Sequence, residues 1–189
     1  TSGSWSPDST QLAVSHVKQG EERYIHYIDS APDDRKEPIV TEMYYIKPGD
    51  RLSDRQPMLI DAASGKTTIV DRKLFPNAYF QSEPAWWSDG RGFYIRYNQR
   101  GHQVYRVIEV NRDGVPHVVI DEQSKTYIEY SAKTVFEAQD HGREIVWMSE
   151  RDGWCHLYLY DGVKGTVKTQ ITRGQWAVRN VIHTDWDKR

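Results

Sequence analysis

The side chains with the widest chemical range in this sequence are its seven histidines, and their spacing does not form a site. They stand at positions 16, 26, 102, 117, 141, 156 and 183. A zinc site needs ligands a few residues apart, as in His-Glu-x-x-His, and neither the spacing nor the motif occurs. His16 and His26 are spaced so that they could face each other across a hairpin, and His156 is expected to hydrogen-bond inside its sheet. The sequence predicts no metal site and no cofactor.

A hydrolase nucleophile is also absent from these residues. The Gly-x-Ser-x-Gly elbow exposes a serine hydroxyl on a strand-to-helix turn, and this motif occurs nowhere in the sequence. Gly90 and Gly92 open a strand rather than a helix, so they do not form a phosphate-binding loop. Cys155 is expected to behave as a small buried apolar residue. The sequence therefore predicts no catalytic residue.

Two aromatic pairs, Tyr79-Phe80 and Trp86-Trp87, are candidates for lining a peptide or sugar groove. Neighbours along a strand point to opposite faces, so at most one member of each pair can serve the same groove. Packing between sheets is the prediction for most of these rings.

The composition is that of a folded protein and excludes several classes. Of 189 residues, 38% are hydrophobic and 12% are aromatic, more than a disordered chain contains. No apolar run exceeds four residues, so no segment is predicted to span a membrane. The formal net charge of -2 provides no basic surface for nucleic acid. The single cysteine excludes a disulfide scaffold.

The dominant period of the sequence is two, which indicates β-strands. Strands are predicted at residues 92–98, 103–110 and 115–120, and three more between residues 144 and 172. Glycine-bearing turns at 99–102, 111–114 and 151–154 have hairpin spacing. Residues 126–138 come nearest to a helical pattern, but their β-branched and aromatic content favours extended chain. Polar loops are predicted at 29–38 and 48–57.

A weak internal repeat suggests how the strands are grouped. Residues 5–9 (WSPDS) and 87–92 (WSDGRG) each place a Trp before a tight polar turn and a strand. Antiparallel units of three or four strands that recur about every 40–50 residues are typical of a β-propeller. The predicted fold is all-β, a partial β-propeller of four-stranded antiparallel blades. A two-sheet sandwich shares the alternation and is the alternative on pattern alone.

Six motifs in order resemble the N-terminal propeller region of the dipeptidyl peptidase IV family of serine peptidases. They are residues 5–9 (WSPDS), 45–50 (YIKPGD), 86–90 (WWSDG), 149–154 (SERDGW), 156–161 (HLYLYD) and 170–176 (QITRGQW). The resemblance covers nearly the whole chain and is most specific from residue 149 to 176. It implies that residues 1–189 form about three to four propeller blades. It also implies that the α/β-hydrolase domain is not present in this chain.

The resemblance implies a function in proteolysis. Such enzymes release N-terminal dipeptides or tripeptides, usually after proline or alanine, and their propeller gates and positions the peptide substrate. The expected partners are that substrate and a C-terminal hydrolase domain of the same chain. The parent protein is expected to be a serine-type peptidase, often periplasmic or secreted in bacteria. The region itself is expected to be inactive.

The resemblance also bears on the candidate binding residues. Tyr127 and Glu129 fall where related enzymes contact the substrate near its amino end. The family's paired glutamates precede a turn like that at Trp5, whereas Glu21 and Glu22 follow it. These two glutamates are therefore interpreted as a solvated hairpin tip, without the amine-binding role.

Two other functional interpretations remain open from the sequence. One is a non-enzymatic β-propeller that binds peptide, glycan or a protein partner. The other is a β-sandwich carbohydrate module, which the even spread of Trp along the chain disfavours. Because a partial propeller leaves sheet edges open, self-association through those edges is also expected.

Overall fold

The computed structural model describes residues 3–131 and 135–188, and within these ranges the chain forms strands and no helix. The chain divides into two compact units, one of residues 1–16 and 56–189 and the other of residues 17–55. The strands are β1 (Gly3–Trp5), β2 (Gln11–Lys18), β3 (Tyr24–Asp29), β4 (Ile39–Tyr44), β5 (Asp54–Asp61), β6 (Thr67–Ile69), β7 (Ala78–Gln81), β8 (Ala85–Trp86), β9 (Gly92–Gln99), β10 (Val104–Asn111), β11 (Pro116–Gln123), β12 (Phe136–Gln139), β13 (Glu144–Ser149), β14 (His156–Asp161) and β15 (Thr166–Gln170).

Three sheets of four or five strands account for most of these elements. The first has the order β1-β2-β5-β6 and the third the order β12-β13-β14-β15. The middle sheet has the order β11-β10-β9-β7, with short β8 also paired to β9. The pairings of β9 with β10, β10 with β11 and β13 with β14 are antiparallel, so the three predicted hairpin turns are confirmed.

The repeated Trp-turn-strand unit has a local physical cause. Trp5 on β1 pairs with Leu12 on β2 across a turn in which Ser6 Oγ donates to Asp8 Oδ1 at 2.7 Å. The same carboxylate oxygen accepts from the Thr10 backbone N–H at 3.2 Å. Short polar side chains that bond to the nearby backbone favour tight turns over continued strand. The polar residues after each Trp therefore return the chain to begin the next strand.

The middle sheet is buried on both faces. Alternate residues of β10 enter different clusters, with Tyr105 and Val107 in one and Ile108 and Val110 in the other. Each fully buried side chain of this size contributes about 1.5–3 kcal/mol. The cluster shared with the first sheet comprises Ala13, Leu59, Val70, Phe75, Phe93, Ile95, Tyr97, Ile108 and Val110. The cluster shared with the third sheet comprises Trp87, Tyr105, Val107, Val119, Ile120, Ile145, Trp147, Tyr158 and Tyr160.

The unit of residues 17–55 contains the antiparallel pair β3 and β4. The two strands face each other from Tyr24 opposite Tyr44 to Asp29 opposite Ile39. The connection between them confirms the polar loop predicted at 29–38. Within this unit, Arg23 Nε and Nη2 donate to the two carboxylate oxygens of Asp50 at 2.7 and 2.6 Å.

Three local predictions were wrong. The loop predicted at 48–57 ends early because β5 begins at Asp54, and Pro57 fits within that strand as an acceptor for the Val70 N–H at 3.1 Å. Glu21 and Glu22 are exposed, but they lie between β2 and β3, which belong to different sheets and form no hairpin. For the same reason His16 and His26 do not face each other, and His26 lies opposite Glu42.

Residues 126–138 are only partly extended. Residues 126–131 form an irregular loop, and β12 begins at Phe136. Residues 132–134 lie outside the described residues. Across the described residues, no helix is long and apolar enough to cross a membrane.

Candidate functional site

A cavity of about 220 Å³ opens between the end of β11 and the end of β13. One wall is the end of β11 with the loop that follows it, and the other is the end of β13 with its turn. The middle and third sheets therefore both contribute to the cavity. Its lining residues are Glu122, Gln123, Ser124, Lys125, Tyr127, Ile128, Glu129, Trp147, Met148, Ser149, Glu150 and Arg151.

Glu122 joins the two walls. This carboxylate is 7% exposed and ends the buried face of β11. Its Oε1 accepts from Ser149 Oγ at 2.6 Å, and its Oε2 accepts from Trp147 Nε1 at 3.2 Å. Arg151 Nη2 donates to the same Oε2 at 2.7 Å. A buried carboxylate is stable only when paired in this way.

Arg151 is held on several sides. Its Nη2 also donates to the Tyr160 hydroxyl at 2.5 Å, and its Nε donates to Ser149 Oγ at 2.8 Å. Its guanidinium carbon lies 4.5 Å from the centre of the Tyr158 ring, within cation–π range. Desolvation acts to lower the pKa of Arg151, but the Tyr160 hydrogen bond and the charge of Glu122 together raise it. Arg151 therefore stays protonated, and its guanidinium is held in the cavity wall by Glu122 and Tyr160.

The same three residue types meet a second time, at Trp87, Glu109 and Arg91 of the middle sheet and its turn. Trp87 Nε1 donates to Glu109 Oε2 at 2.5 Å, and Arg91 Nε donates to the same oxygen at 3.0 Å. The Arg91 guanidinium lies 4.7 Å from the Trp87 ring centre. None of these three residues lines the cavity. The contacts among Trp, Glu and Arg therefore stabilise the packing of the strands in both places. Only the trio of Trp147, Glu122 and Arg151 also lines the cavity.

The two residues that the family resemblance selected, Tyr127 and Glu129, both line this cavity. They lie on the loop after β11, and the Tyr127 side chain is 48% exposed. Glu129 Oε1 accepts from the Ser131 backbone N–H at 3.0 Å and from Ser131 Oγ at 2.5 Å. These bonds orient the carboxylate from within its own loop.

The cavity combines acidic and apolar surface. Its lining residues include three with carboxylates, two with cationic groups, and the aromatic or apolar residues Tyr127, Ile128, Trp147 and Met148. Arg151 is paired with Glu122, and the charges that remain are those of Glu129, Glu150 and Lys125. The excess of one carboxylate favours a ligand that carries a positive charge on an apolar body. No group of three or more His, Cys, Asp or Glu side chains in residues 3–131 and 135–188 is placed to hold a metal ion.

Sequence reasoning missed most of the cavity wall. Ser149 and Arg151 belong to the SERDGW motif, but the motif alone assigns them no role. Glu122 gives no local signal, because its partners are 25 to 29 residues away. Inter-sheet packing is confirmed for the Trp pair, with Trp86 against the first cluster and Trp87 inside the second. It is wrong for Tyr79 and Phe80, which are 44% and 40% exposed and belong to neither cluster. The prediction for His156 is also confirmed, since its Nδ1 pairs with Thr172 Oγ1 at 3.0 Å.

The sequence of this chain is similar to a known protein family. A family profile described as the dipeptidyl peptidase IV N-terminal region matches residues 1–189. Dipeptidyl peptidase 4 of Trichophyton rubrum is 28% identical over 158 residues, which are 80% of this chain and 20% of that protein. Dipeptidyl peptidase 4 of Arthroderma otae is 28% identical over 153 residues, 78% of this chain and 20% of that protein. The chain thus spans about a fifth of the length of these relatives.

Solved structures give the same likeness in the fold. The crystal structure of Porphyromonas gingivalis dipeptidyl peptidase 4 aligns with a TM-score of 0.71 and 23% identity, over 93% of this chain and 24% of that one. A putative dipeptidyl aminopeptidase IV from Bacteroides ovatus aligns with a TM-score of 0.60 and 21% identity, over 95% of this chain and 27% of that one. The predicted fold class, an all-β partial propeller with four-stranded antiparallel blades, is confirmed.

Proposed function

The chain belongs to the family of dipeptidyl peptidase IV N-terminal regions, and from this premise we propose that it is the non-catalytic propeller part of a serine exopeptidase. In this proposal residues 1–189 supply about three to four blades. The α/β-hydrolase domain, with its Ser, Asp and His, lies elsewhere in the same protein. The propeller part gates short or unfolded peptides and positions them for release of an N-terminal dipeptide or tripeptide after proline or alanine.

The observation that carries this proposal is the cavity between β11 and β13, with Tyr127 and Glu129 in its lining. The family resemblance predicts that both residues contact the substrate, and they share one concave surface. Concave surfaces with a few convergent polar groups are the usual form of a ligand site. We assign the cavity to the part of the peptide nearest its amino end.

The chemistry of the lining supports this assignment. The amino end of a peptide carries a positive charge beside an apolar first side chain. Glu129 offers a carboxylate oriented by Ser131, which suits the charge. The half-exposed ring of Tyr127 suits the apolar side chain, because an aromatic ring gives large contact area at low entropic cost.

The test is a kinetic comparison in the full-length protein with Gly-Pro and Ala-Pro chromogenic substrates. Tyr127→Ala and Glu129→Ala should each raise KM by about three- to tenfold and leave kcat within about twofold, because they remove ground-state contacts. Two exposed residues of the 17–55 unit provide matched controls, Tyr27→Ala and Glu37→Ala. Both controls should leave KM unchanged.

Two outcomes would overturn the proposal. Unchanged KM in both cavity variants would remove the cavity from substrate binding. A full-length protein that binds peptides in titration calorimetry but releases no dipeptide or tripeptide would favour the alternative, a non-enzymatic binding propeller.

A further inference from the structure

Four aromatic rings from three separate elements meet beside the cavity. Tyr79 lies on β7, His102 lies in the turn between β9 and β10, and Tyr127 and Tyr130 lie on the loop after β11. The His102 ring stacks on Tyr130, with centroids 4.2 Å apart and planes inclined by 14°. Tyr79 and Tyr127 approach the same imidazole edge-on at 4.5 and 5.5 Å. All three tyrosines therefore contact the His102 ring, and Tyr130 also contacts Tyr79 and Tyr127.

The backbone of the His102 turn holds the same loop. The His102 carbonyl accepts from the Ile128 N–H at 2.8 Å, and the Gln103 carbonyl accepts from the Ser124 N–H at 3.0 Å. Gln103 Nε2 donates to the Lys125 carbonyl at 3.1 Å. His102 adopts a left-handed conformation with φ of 56°, which is uncommon for a residue with a side chain. Strained conformations of this kind persist where the surroundings over-determine them.

A buried amide, that of Asn98, also holds the imidazole. Asn98 on β9 is fully buried, and its Nδ2 donates to the Val104 carbonyl at 3.4 Å. Its Oδ1 is therefore the atom that faces His102 Nδ1 at 2.5 Å, so Nδ1 carries the proton. Burial lowers the pKa of His102, against the opposing charge of Glu129. The hydrogen bond to Asn98 thus fixes the orientation of the ring.

We propose that His102 is a positioning residue for the cavity, holding the loop that carries Tyr127 and Glu129 in its binding geometry. This inference rests on the proposed function, since it concerns the same peptide site. His102 does not line the cavity. The imidazole acts on Tyr127 through the edge-on ring contact, and on Glu129 through the stack on the adjacent Tyr130. The Ile128 hydrogen bond belongs to the His102 backbone and persists in every variant, so loss of the imidazole loosens the side-chain packing of the loop while its backbone anchor remains.

The experiment uses the full-length protein and the same two chromogenic substrates. His102→Asn removes the ring but suits the left-handed backbone, because Asn adopts positive φ more readily than most residues. We expect KM to rise about tenfold, equivalent to about 1.4 kcal/mol, with kcat within about twofold. The matched control, His183→Asn, changes an exposed histidine outside the cluster and should leave both constants unchanged. A merely structural role would lower the active fraction, hence kcat, without raising KM.

A double-mutant comparison separates this inference from the function on which it rests. In a Tyr127→Ala background, His102→Asn should add less than about threefold to KM, because both substitutions disable the same loop. If Tyr127→Ala and Glu129→Ala raise KM but His102→Asn does not, the positioning role is overturned and the proposed function stands. If neither cavity variant changes KM, both are overturned.

A second variant tests the ring separately from the Asn98 hydrogen bond, with kinetics read on the folded fraction because a bulky residue is strained at positive φ. His102→Phe keeps a ring against Tyr130 but removes the hydrogen bond to Asn98. We expect KM to rise about two- to fivefold, less than for the variant without a ring. A KM equal to that of the unmodified protein in the folded variant would overturn the positioning role.

Discussion

Trp147 on the third sheet donates its indole N–H to Glu122 on the middle sheet, across 3.2 Å. This single contact ties the inter-sheet core to the wall of the cavity, because both residues line the cavity and Trp147 is 1% exposed. The packing that stabilises neighbouring sheets therefore also fixes the shape of the proposed binding surface.

The first prediction concerns the cation that completes this contact. Arg151→Met leaves Glu122 buried without its guanidinium partner, and Arg91→Met does the same to Glu109 in the neighbouring trio. Removing one partner from a fully buried ion pair costs about 3–5 kcal/mol. Each arginine here is partly exposed and water compensates in part, so we expect each substitution to lower the free energy of unfolding by about 2–4 kcal/mol. Urea unfolding followed by tryptophan fluorescence measures this loss.

Arg151→Met and Arg91→Met should differ in their effect on substrate binding. Glu122 and Arg151 line the cavity and Glu109 and Arg91 do not, so only Arg151→Met should also raise KM for Ala-Pro substrates. Equal KM changes in the two variants would show that the effect follows global stability and not the cavity wall.

The second prediction tests the close approach of the middle and third sheets. Gly142 has φ of 80°, and a Cβ there would lie 2.3 Å from the Trp87 ring. Gly142→Ala should therefore cost about 2–5 kcal/mol, through backbone strain and displacement of a buried indole. Thermal unfolding in the full-length protein, monitored by tryptophan fluorescence, reports the loss.

Gly153→Ala is the matched control for that substitution. Gly153 has φ of 89°, but a Cβ there meets no atom within 4 Å. The control carries the backbone strain alone, about 1–2 kcal/mol. Similar losses for the two alanine variants would contradict the tight inter-sheet contact.

The sequence predicted the strands well because their signal is local. Alternation along 92–98, 103–110 and 115–120 located β9, β10 and β11 to within three residues at each end. Glycine turns located the hairpins for the same reason. The loop prediction extended too far at Pro57, because a proline ends a strand only where its missing N–H is needed, and here its carbonyl accepts the bond from Val70.

The site was predictable only in part, for a physical reason. Tyr127 and Glu129 were selected by family resemblance, and neither residue has a distinctive local pattern. Glu122 meets Arg151 only after the middle and third sheets have stacked. His102 meets Tyr130 only when the loop after β11 packs on the turn between β9 and β10. Contacts of this kind depend on tertiary packing, which a period-two pattern does not encode.

The third prediction concerns the buried histidine of the third sheet. Thr172 Oγ1 accepts from the Leu157 N–H at 3.0 Å and pairs with His156 Nδ1, while His156 Nε2 pairs with the Gly174 carbonyl at 2.9 Å. Thr172→Val keeps the shape of the side chain but removes both hydroxyl bonds. We expect a loss of about 1–3 kcal/mol and faster hydrogen exchange at the Leu157 amide.

Thr169→Val on β15 is the control for this change. Thr169 is exposed, so the same chemical change should alter stability by no more than about 0.5 kcal/mol. Unchanged protection of the Leu157 amide in Thr172→Val would contradict the role of this hydroxyl.

The last prediction concerns the acid sensitivity of the 17–55 unit. The hydrogen bonds from Arg23 lower the pKa of Asp50 from 3.8 to about 2, with help from the Lys47 backbone N–H. A depressed pKa stabilises the folded form at pH above about 4, and this contribution is lost as the pH falls toward about 2.

Asp50→Asn should speed hydrogen exchange at the Tyr45 amide, which donates to the Arg23 carbonyl, at pH 5. The difference from the unmodified protein should shrink toward pH 2, whereas exposed Asp33→Asn should match the unmodified protein throughout. A difference that stays constant across this range would contradict the assignment to the Asp50 carboxylate.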